Sequence, residues 1–273
     1  MIRSRRSYVV ITVILVLLAV YFIFPFYWLT MGTTKNVSQL FQKSLLPGRP
    51  SHLMQNISGV FNYQGGVFLN WMANSFLYAT VGAFVGVFVA ALAGYAFRKY
   101  DFIGKRLLFI FIIAFAMVPG FATTLPIFMM FRDINLLDTR WAVLLPSFVN
   151  IFAVYMMVSY WNQVEDEVFD AAAIDGANDL TTFFKIGLPN VIPGFITLFL
   201  LAFVSSWNNF FLPLVVLNSR VRMPLILGIT TITDPQGFPV YNLTLTASFF
   251  TILPLLIMFV SLQRYFKPQM YMR

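Results

Sequence analysis

Cysteine is absent from this sequence, which excludes disulfides and thiolate metal sites from the outset. Histidine occurs once, as His52, in a polar stretch with no carboxylate or second imidazole close by, and it is read as a plain surface residue. Charge is scarce too: 10% of the 273 residues are Asp, Glu, Lys or Arg, against about 25% in ordinary soluble domains. Hydrophobic residues reach 59%, more than a water-soluble globule of this length could hide, so the chain must use lipid as its solvent. Its long apolar runs contain no Asp, Glu, Lys, Arg or His. Ion-coupled carriers place such groups inside the membrane as relays, so their absence weakens a secondary-transporter reading, leaving only sodium sites built from carbonyls and hydroxyls. No paired carboxylates, metal cluster or nucleophile–base set stands out, so an intramembrane enzyme is not expected. The Gly104-Lys105 pair does not make a phosphate-binding loop, because Lys99 stands where the first glycine is needed and Arg106 where Ser or Thr is needed.

What is present is a series of apolar runs, each able to supply the roughly 20 residues that cross a bilayer. They cover residues 8–30, 71–97, 107–131, 141–160, 191–214 and 243–262. With no alternating barrel pattern, backbone satisfaction in lipid makes them helices, so the expected fold is an all-α integral membrane protein with six spans. Tyr27, Trp28, Trp71, Trp141, Trp161 and Tyr265 lie near the ends, where amphipathic rings prefer the headgroup region. The net charge of +8 lies in short basic runs beside the spans, a placement that suits membrane orientation better than a nucleic-acid groove. Putting Arg3, Arg5, Arg6 and the run Arg98, Lys99, Lys105, Arg106 inside, with Lys185, Arg264, Lys267 and Arg273, makes both termini cytoplasmic. The expected division is a cytoplasmic tail at 1–7, a retained first span at 8–30, an extracytoplasmic loop at 31–70, a permease-like membrane domain at 71–266 and a cytoplasmic tail at 267–273. Gly82, Gly86, Ala90 and Gly94 recur every four residues, a stripe suited to close helix packing. Pro119 and Pro126 should kink or break the third span.

Acidic residues total ten, and six of them, Glu165, Asp166, Glu167, Asp170, Asp175 and Asp179, fall in one stretch between spans four and five. The first three suit the first turn of a helix, Ala171, Ala172 and Ala173 are strong helix formers, and Gly176 is a natural stop. Asn178 or Asp179 can cap a second helix through 180–186. From these residues alone, a solvated amphipathic loop and a docking module are equally good readings.

The stretch DAAAIDGANDLTTFFKIGLP resembles the EAA loop of permease subunits of bacterial ATP-binding-cassette importers. The pattern falls on Asp170, Ala171, Ala172, Gly176, Ile186, Leu188 and Pro189 with every spacing kept, and Asp170 replaces the usual Glu. NWMANSFLYAT, GYAFRKYDFIGKR, MVPGFATTLPIF, INLLDT, SSWNNFFLPLVVL and LPLLIMFVSLQRYF extend the likeness over about 70–266, to the carbohydrate-uptake branch and the smaller partner of the maltose-type system. The ending KPQMYMR departs from the Gly-rich tail of that group.

The resemblance implies a transport subunit of the bacterial inner membrane rather than an enzyme. Its partners would be a second, non-identical permease, two ATPase subunits and an extracytoplasmic solute-binding protein. ATP and Mg would sit on the ATPase subunits, with no cofactor on this chain. The EAA loop would be a cytoplasmic coupling module, carried by the matched residues with Asp175 and Ala177 between them. A polar cluster, Ser205, Ser206, Trp207, Asn208 and Asn209, suits a sugar pathway or gate, with Ser205 and Asn209 on one helical face. Interhelical hydrogen bonds worth on the order of 1 kcal/mol each would explain the same residues. Sugars, polyols and glycerol phosphate all remain open as the solute.

Overall fold

A computed structural model describes residues 5–42 and 44–262. The expectations for the C-terminal tail, for Tyr265 and for the last residues of the membrane domain fall outside these, as does most of the N-terminal tail. The described residues are helical apart from turns and one isolated bridge between Thr233 and Pro239. In chain order the α-helices are α1 (Arg5–Thr33), α2 (Val37–Leu40), α3 (Leu53–Asn62), α4 (Val67–Lys99) and α5 (Lys105–Ala116). They continue as α6 (Thr124–Asp133), α7 (Trp141–Ser147), α8 (Ile151–Trp161), α9 (Asp166–Ile174) and α10 (Asp179–Thr181). The last are α11 (Leu188–Trp207), α12 (Phe211–Val216), α13 (Leu225–Ile229) and α14 (Tyr241–Leu262). Five stretches are long and apolar enough to cross a bilayer, and the pair α5–α6 makes a sixth if counted as one span.

The third apolar run is broken, as its prolines predict. α5 and α6 meet at 98°, and Pro119 sits at the break in extended conformation, φ −61° and ψ 130°. Pro126 leaves no kink, because it lies in the first turn of α6, where its missing N–H has no partner to lose. The fourth run pauses before Asn150, whose side chain accepts the Ala153 N–H at 2.9 Å and restarts the helix as α8. The fifth run departs from expectation by ending at Trp207, after which Asn208 caps the helix and α12 begins.

The chain divides into two units. One comprises the chain up to Phe68 together with Ile229–Pro254. In it α1 is apolar all round and exposed along its length, as suits a helix dissolved in lipid. The buried Asn56 amide donates to the Thr33 and Lys35 carbonyls, both at 2.8 Å, and accepts from Asn242 at 2.7 Å. Phe61 meets Phe68 and Phe250 edge-on at 5.3 Å each.

The other unit, Leu69–Gly228 with the chain from Leu255, is built around α4. The small-residue stripe is its close-packing edge against α7 and α8. A Cβ on Gly82 would lie 2.4 Å from the Ser147 hydroxyl, one on Gly86 2.5 Å from the Ser147 carbonyl oxygen, and one on Gly94 2.6 Å from the Trp161 ring. The opposite end of α4 carries a second interface. Trp71, Asn74, Ser75 and Tyr78 share one helical face by their spacing, and all four reach the backbone of 220–225. Trp71 donates to the Arg220 carbonyl at 2.7 Å and Asn74 to those of Val221 and Met223 at 2.7 and 3.1 Å. Tyr78 donates to the Arg222 carbonyl at 2.9 Å, while the Ser75 hydroxyl accepts the Leu225 N–H at 2.7 Å. Trp71 and Trp161 are therefore buried in protein rather than placed at the headgroups, whereas Trp28 and Trp141 are exposed.

Asp138 fastens the same segment from the other side. At φ +53° its carboxylate accepts N–H groups of Asn218 (3.1 Å) and Ser219 (2.9 Å), the Ser219 hydroxyl, and Arg222 Nη1 at 2.6 Å. Burial pushes this carboxyl upward, but the Ser219 and Asn218 hydrogen bonds and the Arg222 charge outweigh it and hold the group below its ordinary value.

Two outcomes follow. Gly86→Ala should destabilise the protein by about 1–3 kcal/mol through overpacking, while Gly120→Ala, whose Cβ meets open space, should not; thermal unfolding in detergent distinguishes them. A depressed folded value means that Asp138 stabilises fully above the ordinary carboxylate range and loses that contribution as pH falls through the folded value. The Tm gap between the natural chain and Asp138→Asn should accordingly shrink between about pH 7 and about pH 3.

Candidate functional site

The acidic stretch folds as a short helix, a left-handed turn and a second helix. Asp166 and Glu167 occupy the first turn of α9, where the positive end of the helix dipole favours them. α9 closes with two reciprocal bonds, Ala177 N–H to the Ala172 carbonyl at 2.9 Å and Gly176 N–H to that of Ala173 at 3.1 Å. This closure needs a left-handed residue, and Gly176 supplies it at φ +70°. A Cβ there would meet nothing within 4 Å, so glycine is required for its backbone rather than for room. The Asn178 side chain then accepts the Thr181 N–H at 2.8 Å and starts α10. From Thr182 to Gly187 the winding opens into a π-helix that leads straight into α11.

Beneath the loop lies an aromatic base. Trp161, fully buried, stacks on Phe183 at 5.7 Å and meets Tyr95 edge-on at 5.1 Å. A Cβ on Gly187 would come within 2.5 Å of the same indole. Ala172 is buried, Ala177, Ile186 and Leu188 are half-buried, and Asp170, Ala171, Asp175, Gly176 and Pro189 are exposed.

The end of α4 ties down both ends of the acidic stretch. Arg98 pairs with Asp166, donates to the Val164 carbonyl at 3.1 Å and lies 5.2 Å from the centre of the Phe169 ring. Lys99 pairs with Asp179, and the Tyr100 hydroxyl donates to the other Asp179 oxygen at 2.6 Å. That carboxylate raises the Tyr100 phenol above its ordinary value. Sequence reasoning used the basic run at 98–106 only to orient the chain and missed this pairing. The available signal was one run of each sign beside neighbouring spans. Glu165, Glu167, Asp170 and Asp175 have no ion-pair partner among the described residues. Among them stand two bare apolar side chains, Ile174 and Leu180, 86% and 68% exposed.

The second predicted cluster divides. Ser205 and Asn208 are exposed, Ser206 and Asn209 half-buried, and Trp207 buried. Because α11 ends at Trp207, Ser205 and Asn209 do not sit on one continuous helix. Trp207 packs edge-on against Phe76 at 5.0 Å and stacks on Phe203 at 5.7 Å. Among the described residues no group of three or more His, Cys, Asp or Glu is placed to hold a metal ion.

Residues 82–271 match the family described as binding-protein-dependent transport system inner membrane component. The arabinooligosaccharides transport system permease protein AraQ of Halalkalibacterium halodurans is 33% identical, over 89% of this chain and 88% of that one. The sn-glycerol-3-phosphate transport system permease protein UgpE of Yersinia pestis is 28% identical over 97% of each chain. A chain in the crystal structure of a bacterial ABC transporter involved in the import of the acidic polysaccharide alginate shares the fold. Its TM-score is 0.85 at 24% identity, covering 98% of this chain and 100% of that one.

If the pairs at Asp166 and Asp179 orient the loop, Asp166→Asn with Asp179→Asn should raise amide hydrogen exchange across 165–182 several-fold. Exchange in α8, seated on the aromatic base, should stay unchanged.

Proposed function

Because the chain belongs to the family of binding-protein-dependent transport system inner membrane components, we propose that it is the permease subunit of an ATP-binding-cassette importer for a sugar or a related solute. It works with a second, non-identical permease, two ATPase subunits that bind and hydrolyse ATP with Mg, and a solute-binding protein outside the membrane. Both termini and the loop at 165–189 face the cytoplasm, and that loop is the part the ATPases grip. The observation that carries this reading is the form of the loop. Its base is locked on Trp161, while its far side offers Ile174 and Leu180 amid four unpaired carboxylates. Apolar anchors ringed by charge suit a protein partner, and a rigid root lets movement of that partner reach the spans as a whole. Asp170, Ala171, Ala172, Asp175, Gly176, Ala177, Ile186, Leu188 and Pro189 form this coupling surface and its root.

The sugar reading rests on likeness to the arabinooligosaccharide permease. Likeness to the glycerol-phosphate permease supports a second reading, in which the solute is a polyol phosphate. Ser205, Ser206, Asn208 and Asn209 border the solute pathway, and the buried Trp207 braces them from behind.

In vesicles loaded with ATP, the full complex should take up labelled arabino-oligosaccharide. Ile174→Asp should lower uptake by about tenfold or more, as loss of an apolar anchor does, with the chain still inserted. Wild-type uptake by that variant would remove the loop from coupling. Uptake without the second permease would refute the heteromeric assembly, and uptake of glycerol phosphate in place of sugar would select the second reading.

A further inference from the structure

Between the adjoining ends of α4, α5 and α8 lies a cavity of about 1130 Å³ that the coupling loop does not use. Its polar wall contains three cations and two carboxylates. Arg98 is committed to Asp166 and Lys105 to Asp101, the latter at 2.9 Å. Arg106 is left over, exposed and without a hydrogen-bond or ion-pair partner among the described residues. α5 starts on the same wall at Gly104, with no side chain capping its first turn. The net lining is therefore positive at one end, with one guanidinium and the dipole of a twelve-residue helix unanswered. The opposite wall is apolar, formed by Phe97, Phe109, Ile110 and Val158. Leu107 and Ile110, next to Arg106, are exposed on a helix that is otherwise entirely apolar. The cavity thus lies where charge ends and the bilayer-crossing apolar surface begins.

That division fits a molecule with an anionic head joined to a hydrocarbon tail. A free anion would satisfy only the basic end, and a neutral detergent-like molecule only the apolar one. We infer that the cavity is a binding site for an anionic phospholipid, whose phosphate meets Arg106 and the first turn of α5 while its first methylenes lie against Phe109 and Ile110. The site is separate from the importer reading, and its test needs neither solute nor ATP.

The full chain, with any subunits that copurify, is placed in nanodiscs of equimolar phosphatidylcholine and phosphatidylglycerol, and retained lipid is identified by native mass spectrometry. The natural chain should hold phosphatidylglycerol in preference to phosphatidylcholine. Arg106→Gln should retain it about fivefold less, the equivalent of one basic residue near an anionic surface. Arg132→Gln, an exposed arginine outside the cavity, should behave as the natural chain does. Excess inorganic phosphate should leave the retained lipid in place. Equal retention of both lipids by the natural chain would overturn the proposal whatever the variants do. Unchanged retention by Arg106→Gln would overturn it too, and displacement by inorganic phosphate would make the occupant a soluble anion instead.

Discussion

The indole of Trp161 is wedged between two glycines from distant parts of the chain, Gly94 on α4 and Gly187 at the end of the π-helix, and the geometry of the acidic loop is referenced to that ring. Interiors packed at crystal density transmit a displacement rather than absorb it, so a side chain at either glycine would have to move the ring and everything stacked on it. The indole N–H is buried without a partner among the described residues. Such a loss costs about 1–3 kcal/mol. Burying a ring of roughly 150–250 Å² at about 25 cal/mol per Å² outweighs it, so the wedge is held by apolar packing alone.

The ion pairs above it act differently. Asp166 and Asp179 are largely exposed, and pairs of this kind contribute little to stability. They set the angle of the loop and leave the holding to the aromatic base. The arrangement separates a stiff root from a charged rim that water and salt can modulate. It also accounts for the clustering of acids: two serve this chain, and four remain for whatever approaches from outside.

The spans were legible because lipid imposes one blunt requirement, a long run without charge. The breaks within them were less so. Pro119 announced its break, because proline removes a donor that nothing else replaces. The pauses near Asn150 and Asn208 did not, since an amide that satisfies a helix end looks like a minor dip in hydropathy. The tryptophans misled for a related reason. An indole suits both a headgroup layer and a tight protein pocket, and only the glycines facing Trp161 and the carbonyl facing Trp71 decide between them. Gly176 was readable because a left-handed closure leaves few alternatives, whereas the pairing of Lys99 with Asp179 joins residues far apart in the chain and carries no local signature.

At the other end of α4, the face of Trp71, Asn74, Ser75 and Tyr78 grips main-chain atoms of 220–225 and not the side chains of that segment. Every residue type presents the same carbonyl, so the tether is indifferent to what the tethered stretch spells. Mutation can therefore rewrite the outward side chains of Arg220, Val221 and Met223 without loosening their anchorage. A lineage could in this way retune what that surface recognises while inheriting its shape unchanged.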